Sequence, residues 1–277
     1  MTDSQRPFDP VVPAAGWHML HLFYRVEHGQ WQLLSDDEQR AAKTRLAELV
    51  QEIRAVADTQ LLTLSIATPK ADLGFVLTTP DLQTANAWEK RLSLSLGPDI
   101  LTPVFSYLSL TELSEYTTTA DDYAAETLRG ERGLAPDSPE YAAALTEFQE
   151  RMKHYGQWRL YPPLPAWPVV CFYPMSKRRG NTQNWYRLSY KERKELMAGH
   201  ARIGRTWAGK IKQIISGSTG LDDAEWGVTL FSRSTEEIKG IVYEMRFDAV
   251  SAEYAEFGEF YIGLQLPLGE LFNRLQL

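Results

Sequence analysis

A phenol, a thioether and an ammonium follow one another in Tyr173, Met175 and Lys177. The stretch 169–175 is apolar enough for a buried strand, and successive side chains of a strand point to opposite faces. Cys171 and these three residues therefore share one face, at roughly 7 Å between successive members. An ammonium on such a face suits an acidic ligand. Plain sheet packing of Tyr173 and Met175, and a solvated charge at Lys177, remain open as alternatives.

A histidine lies on the apolar side of the helix that follows. Ser189 and Glu192 have the spacing of a capping box, which predicts a helix over 190–207. His200 belongs to its apolar stripe and should face inward; the stripe consists of Leu196, His200, Ile203 and Trp207. Such a histidine is either a hydrogen-bonded core residue or a ligand. No paired-histidine motif is present, so it suits a single axial bond to the metal of a cofactor.

Other histidines and polar residues are weaker candidates. His18 competes with His200, because it shares a strand face with leucines, whereas His21, His28 and His154 lie in more polar sequence. Gln213 places an amide on the apolar face of a predicted strand, where it needs a partner. The only cation of the extended segment 157–168 is Arg159, and we expect this segment to lie over a pocket. We interpret Trp185, Trp207 and Trp226 as packing residues in preference to reactive ones, although tryptophans near a redox centre can carry oxidising equivalents.

Composition excludes several classes of protein. The chain has 277 residues, 44% of them hydrophobic, with a formal net charge of −7 and a single cysteine. The negative charge argues against nucleic acid, and one thiol cannot form an internal disulfide or a cysteine-based metal site. We find no signal peptide and no stretch of about 18 apolar residues, which predicts a cytoplasmic protein without a membrane span. The local cluster Lys177-Arg178-Arg179 suits an acidic small molecule.

The predicted elements repeat the order β-α-β-β-α-β. The first set comprises 17–27, 36–56, 60–68, 73–79, 82–96 and 103–113, and the second comprises 169–175, 190–207, 210–216, 226–232, 235–245 and 260–266. This order predicts an α+β fold of two tandem ferredoxin-like modules with antiparallel sheets and covering helices, of the dimeric α+β barrel type. The expected divisions are a loose arm (1–16), a first module (17–116), a helical insertion and connector (117–165) and a second module (166–277). Within the insertion, we expect the second helix to close at Gly156.

Four runs of sequence resemble the chlorite dismutase-like family of haem proteins, in particular its coproheme decarboxylase branch. They are CFYPMSKRR, RKELMAGHARIGR, KIKQIISGSTGLDDAEWGVTLF and IVYEMRFDAVSAEYAEFGEFYIG. The similarity is dense over about residues 155–277, and the first module matches in architecture and a few aromatic positions. One departure is Trp207, where the resemblance leads us to expect tyrosine.

The resemblance implies roles for individual residues. His200 matches the axial ligand of the haem iron, Tyr173 a radical-forming tyrosine, and Lys177 the lysine beside the reacting propionate. Met175 matches a residue against the porphyrin face, and Gln213 the residue on its distal side. Arg159 and Ser251 match propionate-binding positions. Trp185 and Trp226 match family tryptophans with weaker roles.

The resemblance also implies the reaction. It is the hydrogen peroxide-dependent decarboxylation of coproheme III (iron-coproporphyrin III) to haem b through a three-propionate monovinyl intermediate, with substrate and product serving as the redox centre. The expected assembly is a homo-oligomeric ring, usually of five subunits, and transient contact with coproporphyrin ferrochelatase is expected. Two alternatives stay open: a non-catalytic haem-binding or haem-delivery protein, and a chlorite-decomposing haem enzyme. Against the latter, Gln213 is neutral where chlorite-decomposing relatives carry an arginine.

Overall fold

The computed structural model describes residues 13–277. The first half contains four strands, each bounded by residues close to those predicted. Its elements are β1 (Ala15–Val26), α1 (His28–Trp31), α2 (Asp36–Ala55), β2 (Gln60–Ile66), β3 (Leu73–Thr79), α3 (Leu82–Ser93) and β4 (Leu101–Glu112). The predicted arm falls outside the described residues up to residue 12, and its last two positions belong to β1.

The second half repeats this order after a helical insertion. The insertion contains α4 (Ala120–Asp122), a π-helix (Tyr123–Glu131) and α5 (Pro139–Leu160). The repeat contains β5 (Val169–Lys177), a 3₁₀ turn (Trp185–Arg187), α6 (Tyr190–Thr206), β6 (Ile211–Gly217), β7 (Trp226–Ser232), α7 (Thr235–Met245), α8 (Ala249–Tyr254), β8 (Ala255–Phe257), β9 (Tyr261–Gln265) and α9 (Leu268–Arg274). No helix within residues 13–277 has both the length and the apolar character that a membrane crossing needs.

The two halves share one closed antiparallel sheet. Its strand order is β7-β6-β4-β1-β3-β2-β9-β5, and β5 pairs with β7 to close the ring, while β8 continues beyond β5. The halves are joined by two seams, β4 with β6 and β2 with β9. The predicted α+β fold of the dimeric α+β barrel type is therefore confirmed.

Aromatic side chains fill the interior of the barrel. Phe23 stacks on Tyr261 at 4.4 Å between ring centroids, and His21 stacks on Phe172 at 3.9 Å. His21 is fully buried, its Nε2 lies 2.8 Å from Thr229 Oγ1, and burial lowers its pKa to about 3. The prediction that His21 lies in polar surroundings is wrong, because β1 turns its odd-numbered side chains into the barrel.

The helices cover the outside of the barrel in two layers that differ in packing. In the first half, α2 buries Leu46 and Ile53 against Phe75 and other apolar residues of the sheet, so this face is closed. In the second half, α7 covers part of the face, but Gln213 and Met175 stay half-buried. The second half is therefore the one with room for a ligand between sheet and helices.

The insertion and the connector differ from the prediction. Residue Gly156 does not end a helix, because α5 continues to Leu160 and so includes Arg159 in its last turn. Only residues 161–168 form the extended connector. Trp167 and Leu164 pack against the barrel interior, and the connector lines a pocket of about 600 Å³ with Arg54 and neighbouring residues of β2 and β9. A second pocket lies beside His200, and it shares no lining residue with this one.

Candidate functional site

The register of the sheet places the predicted reactive residues on one face. Tyr173 lies opposite Val228, which lies opposite Ile215, and directly opposed residues of an antiparallel pair share a face. Met175 is two residues along from Tyr173, and Gln213 is two residues along from Ile215, so both point to this same side. This is the face on which α7 packs, through Ile238 and Ile241.

Tyr173 is held by aromatic packing. Its ring stacks on Phe260 at 4.4 Å and lies 5.8 Å from Phe257, and only 7% of the residue is exposed. Within residues 13–277 no hydrogen bond involves its hydroxyl. Burial raises the pKa of the phenol above its usual range, although the guanidinium of Arg246, which lies 3.7 Å over the Phe257 ring, opposes this rise. Tyr173 is therefore a neutral phenol at physiological pH, with its O–H free to act.

Lys177 is a buried cation at the end of the same strand. It is 8% exposed, and its Nζ lies 4.5 Å from the centre of the Trp185 ring. Burial lowers its pKa to about 8, against the opposing effect of the carboxylates of Asp248 and Glu225. Its backbone N–H donates to Glu225 Oε2 at 2.7 Å, which fixes the strand end. A desolvated ammonium of this kind gains more from an incoming carboxylate than a solvated one would.

His200 is positioned by a capped helix and a buried carboxylate. The capping box between Ser189 and Glu192 begins α6 where the sequence predicts. His200 is about one quarter exposed, and its Nδ1 lies 2.9 Å from Asp248 Oδ2. The Ser251 hydroxyl donates to the same carboxylate oxygen at 2.9 Å. With Nδ1–H donating to Asp248, the lone pair of Nε2 is left free, which is the tautomer that binds a metal.

Asp248 connects the histidine to the lysine. Burial alone would raise the pKa of Asp248, but hydrogen bonds from His200 and Ser251 outweigh it, so the pKa lies below its usual range. The carboxylate is therefore ionised, and it is also the largest of the charges that favour the ammonium form of Lys177. Asp248 therefore hydrogen-bonds to His200 and Ser251 and acts on Lys177 through its charge.

A pocket of about 450 Å³ borders His200 between α6 and α8. Its lining residues are Leu188, Glu192, Glu195, Leu196, Gly199, His200, Asp248, Ala249 and Tyr254. The predicted inward stripe of α6 is only half-buried, and it is not packed into the core of the sheet. At the end of the helix, Trp207 packs on α7 at Gly240 and donates to Glu244 Oε2 at 2.7 Å.

Arg159, in the last turn of α5, contacts the end of β4. Its Nε donates to the backbone oxygen of Glu112 at 3.1 Å, and the Glu112 carboxyl accepts from Trp226 Nε1 at 3.2 Å. Trp226 lies opposite Met175 in the sheet, which joins Arg159 to the reactive face. Of the predicted site residues, His200, Ser251 and Lys177 lie near Asp248. Arg159 and Trp226 instead contact Glu112.

Three residues of the site escape sequence reasoning: Glu112, Asp248 and Arg246. Asp248 follows α7 and accepts from the backbone N–H of Val250, so an aspartate three residues before Ser251 was a visible helix-cap signal. Glu112 belongs to the first module, and only the closure of the barrel brings it to the second. Arg246 is an exposed cation at the end of α7, and no periodicity in the sequence indicates that it lies over the Phe257 ring.

These residues fit an iron porphyrin that carries several carboxylates. In the described part of the chain, no three histidine, cysteine or acidic side chains come together to hold a bare metal ion. His200 offers one imidazole nitrogen, which suits a metal whose remaining bonds are supplied by a macrocycle. The half-buried apolar stripe of α6 suits a flat hydrophobic ring, and Lys177 and Arg159 suit its acidic substituents.

The comparisons with known proteins agree with this arrangement. Residues 39–266 match the family described as chlorite dismutase, so the chain belongs to the chlorite dismutase family. It is 39% identical to a coproheme decarboxylase from Staphylococcus carnosus (strain TM300) over 255 residues, which cover 91% of this chain and 92% of that protein. The family predicted from the sequence is confirmed.

Solved structures extend the comparison. A haem-binding protein from Thermus thermophilus is 37% identical, with a TM-score of 0.79 over 97% of this chain and 98% of that one. A chlorite dismutase from Candidatus Nitrospira defluvii, in complex with imidazole, has a TM-score of 0.69 at 17% identity, over 95% of this chain and 96% of the other. The latter likeness shows that the fold is shared.

Proposed function

We propose that this protein catalyses the oxidative decarboxylation of coproheme III to haem b, by way of the three-propionate monovinyl intermediate. The observation that carries the proposal is the pairing, on one strand face, of a neutral phenol (Tyr173) with a desolvated ammonium (Lys177). A protein that only binds or delivers haem would need the histidine and the cations, but it would not need this pair. The 39% identity to a coproheme decarboxylase supports the same reaction.

The reaction balances with hydrogen peroxide as oxidant. Each propionate consumes one peroxide and one proton, and gives one vinyl group, one carbon dioxide and two waters. When bound, the iron porphyrin supplies the redox centre that reduces peroxide. The residues that would hold it are His200 at the iron, Met175 against the ring, Gln213 on the distal side, and Arg159, Ser251 and Lys177 at the propionates.

The chain contributes orientation and a hydrogen-atom acceptor. The Lys177 ammonium orients one propionate by a charge-assisted hydrogen bond. The Tyr173 phenol, once oxidised by one electron, accepts a hydrogen atom from the β-carbon of that propionate, and the carboxylate then leaves as carbon dioxide while the second electron passes to the redox centre. Propionate carbons lie at the edge of a porphyrin, so a phenol at this edge is the group that can reach them. Asp248 keeps the His200 Nδ1–H occupied, so that the lone pair of Nε2 would be available to the iron.

We also propose a cellular location, an oligomeric state and a partner for the protein. We place the reaction in the cytoplasm, with the subunits in a ring, usually of five, and with transient contact to coproporphyrin ferrochelatase. Native mass spectrometry of the purified protein tests the ring directly.

The test of the reaction is to mix the protein with coproheme, add peroxide stepwise and follow the mass of the porphyrin. We expect successive loss of two carbon dioxides from the wild type. Tyr173→Phe removes no hydrogen bond within the described residues and keeps the ring packing, so it should bind coproheme normally and fail at the first propionate.

Tyr24→Phe is the control, because Tyr24 is also a buried tyrosine but lies in the first module, where its hydroxyl is hydrogen-bonded to Ser93 Oγ at 2.9 Å. It should decarboxylate like the wild type. Binding without loss of carbon dioxide by the wild type would leave a haem-binding protein, and rapid, sustained oxygen evolution from chlorite would favour the chlorite-decomposing alternative. Haem b formation by Tyr173→Phe at the wild-type rate would remove Tyr173 from the reaction.

A further inference from the structure

A carboxyl group of the first module lies on the reactive face of the second. Glu112 is the last residue of β4, and a Cβ at Gly217 of β6 would come within 2.1 Å of its Oε2. Gly217 lies opposite Trp226, which lies opposite Met175, so its missing side chain would point to the face of Tyr173. The Glu112 carboxyl therefore occupies this face, in line with Met175 and Trp226, and only a glycine at 217 admits it.

The Glu112 carboxyl is half-buried, and within residues 13–277 it has a single hydrogen-bond partner. Its Oε1 accepts from the Trp226 indole at 3.2 Å, whereas Oε2 has no partner within residues 13–277. The charged groups that face it are Arg159 from α5 and Glu115 from the segment after β4, and its neighbours on β6 and β7 are uncharged. Burial raises the pKa of Glu112 above its usual range, against the indole hydrogen bond and the charge of Arg159, and Glu115 raises it further.

Arg159 is thus near one carboxyl already and is the cation that we assign to a propionate. A substrate carboxylate arriving there would bring a second negative charge beside Glu112 and would exclude water from both. Two carboxylates that share one site in a poorly solvated region do not both stay ionised, and one of them takes up a proton. The protonated carboxyl can also donate its O–H to the other, which replaces a repulsion by a hydrogen bond.

We propose that Glu112 belongs to the propionate subsite at Arg159 and takes up a proton when the substrate binds there. This inference rests on the proposed function, since it requires a ligand with carboxylates at Arg159. It adds a residue from the first module to the recognition of the substrate. Coproheme binding is then linked to proton uptake, and its affinity falls with rising pH by up to about tenfold per pH unit over the range in which Glu112 ionises.

The test is calorimetric titration of ferric coproheme into the protein without peroxide, in two buffers of different ionisation enthalpy at each pH. The comparison is between the wild type and Glu112→Gln, which keeps an oxygen that can accept from the Trp226 indole. We expect the wild type to take up more protons than Glu112→Gln, by up to about one per site. The affinity of the variant should depend less on pH. The control Glu270→Gln makes the same change at the carboxylate on α9 that pairs with Arg274 (3.1 Å), and it should retain wild-type uptake.

Infrared difference spectra give a second measurement. Binding of coproheme to the wild type should produce the carbonyl band of a protonated carboxylic acid, and Arg159→Met, which removes the attraction for the propionate, should weaken it. Equal proton uptake by the wild type and Glu112→Gln, or no new carboxylic acid band in the wild type, would overturn the inference while leaving decarboxylation intact. If the wild type shows no heat of binding at all, the proposed function itself fails.

Discussion

The buried charge of Lys177 should lower the free energy of unfolding of the substrate-free protein. Replacing this lysine should show by how much. Folding lowers the pKa of this lysine from 10.5 to about 8 because the ammonium is buried. A difference of this size corresponds to a penalty of about 3 kcal/mol on the charged form. The ammonium over the Trp185 ring returns about 1 kcal/mol of this. Lys177→Met keeps the length of the side chain and removes the charge, so it should raise the free energy of unfolding at pH 7 by about 2 kcal/mol.

The sign of the pH dependence follows from the direction of the shift. The folded state binds its proton less tightly than the unfolded chain, so the penalty is present in full below about pH 8. It shrinks as the pH rises from there towards 10.5, because the folded protein has lost the proton and the unfolded chain still holds it. The advantage of Lys177→Met should therefore be large at pH 7 and mostly gone at pH 10.

Urea unfolding of the substrate-free protein at these two pH values measures the effect. Lys239→Met is the control, because Lys239 is an exposed lysine on α7 and its replacement should change stability by at most about 0.5 kcal/mol. The same Lys177→Met variant should decarboxylate coproheme slowly, since the propionate loses its orienting cation. A less stable Lys177→Met at pH 7, or an advantage that persists unchanged at pH 10, would show that neighbouring carboxylates already compensate the buried charge.

Three further changes probe the support of the site. His200→Ala should fold normally but lose the axial imidazole signature from the optical spectrum of the reconstituted protein, and an unchanged spectrum would place the ligand elsewhere. Asp248→Asn keeps an acceptor for Nδ1–H but removes the negative charge, so the iron–imidazole stretching frequency should fall in resonance Raman spectra; an identical frequency would contradict the role given to this carboxylate. Gly240→Ala would place a Cβ 2.4 Å from the Trp207 ring and should destabilise by about 1–3 kcal/mol in thermal unfolding. The control Gly269→Ala meets no atom within 4 Å and should be neutral or stabilising.

The sequence predicts the local parts of this structure well. The capping box at Ser189 begins α6 at Tyr190, and α7 has the bounds 235–245 that its pattern indicates. These features depend on neighbours within one or two turns. The alternation in β5 likewise places Tyr173, Met175 and Lys177 correctly, because strand faces follow from residue parity alone.

What the sequence does not predict depends on contacts between distant segments. Gly156 has the character of a helix end, yet α5 continues through it, because an isolated glycine costs a helix only about 1 kcal/mol. Glu112 and Gly217 meet only where β4 pairs with β6, and their spacing of about one hundred residues carries no periodic signal. The burial of His21 follows from barrel closure, which neither module shows by itself.

The closed ring of strands also bears on how this chain can be divided. Each half supplies the partner strands that the other half lacks at the seams β4–β6 and β2–β9. Either half alone would have two open sheet edges and would expose apolar barrel-facing side chains such as Phe23 and Phe172. Open sheet edges pair readily with other chains. A fragment that ends between the modules should therefore aggregate or associate with a second copy of itself, whereas the chain that carries both halves closes these edges within one molecule.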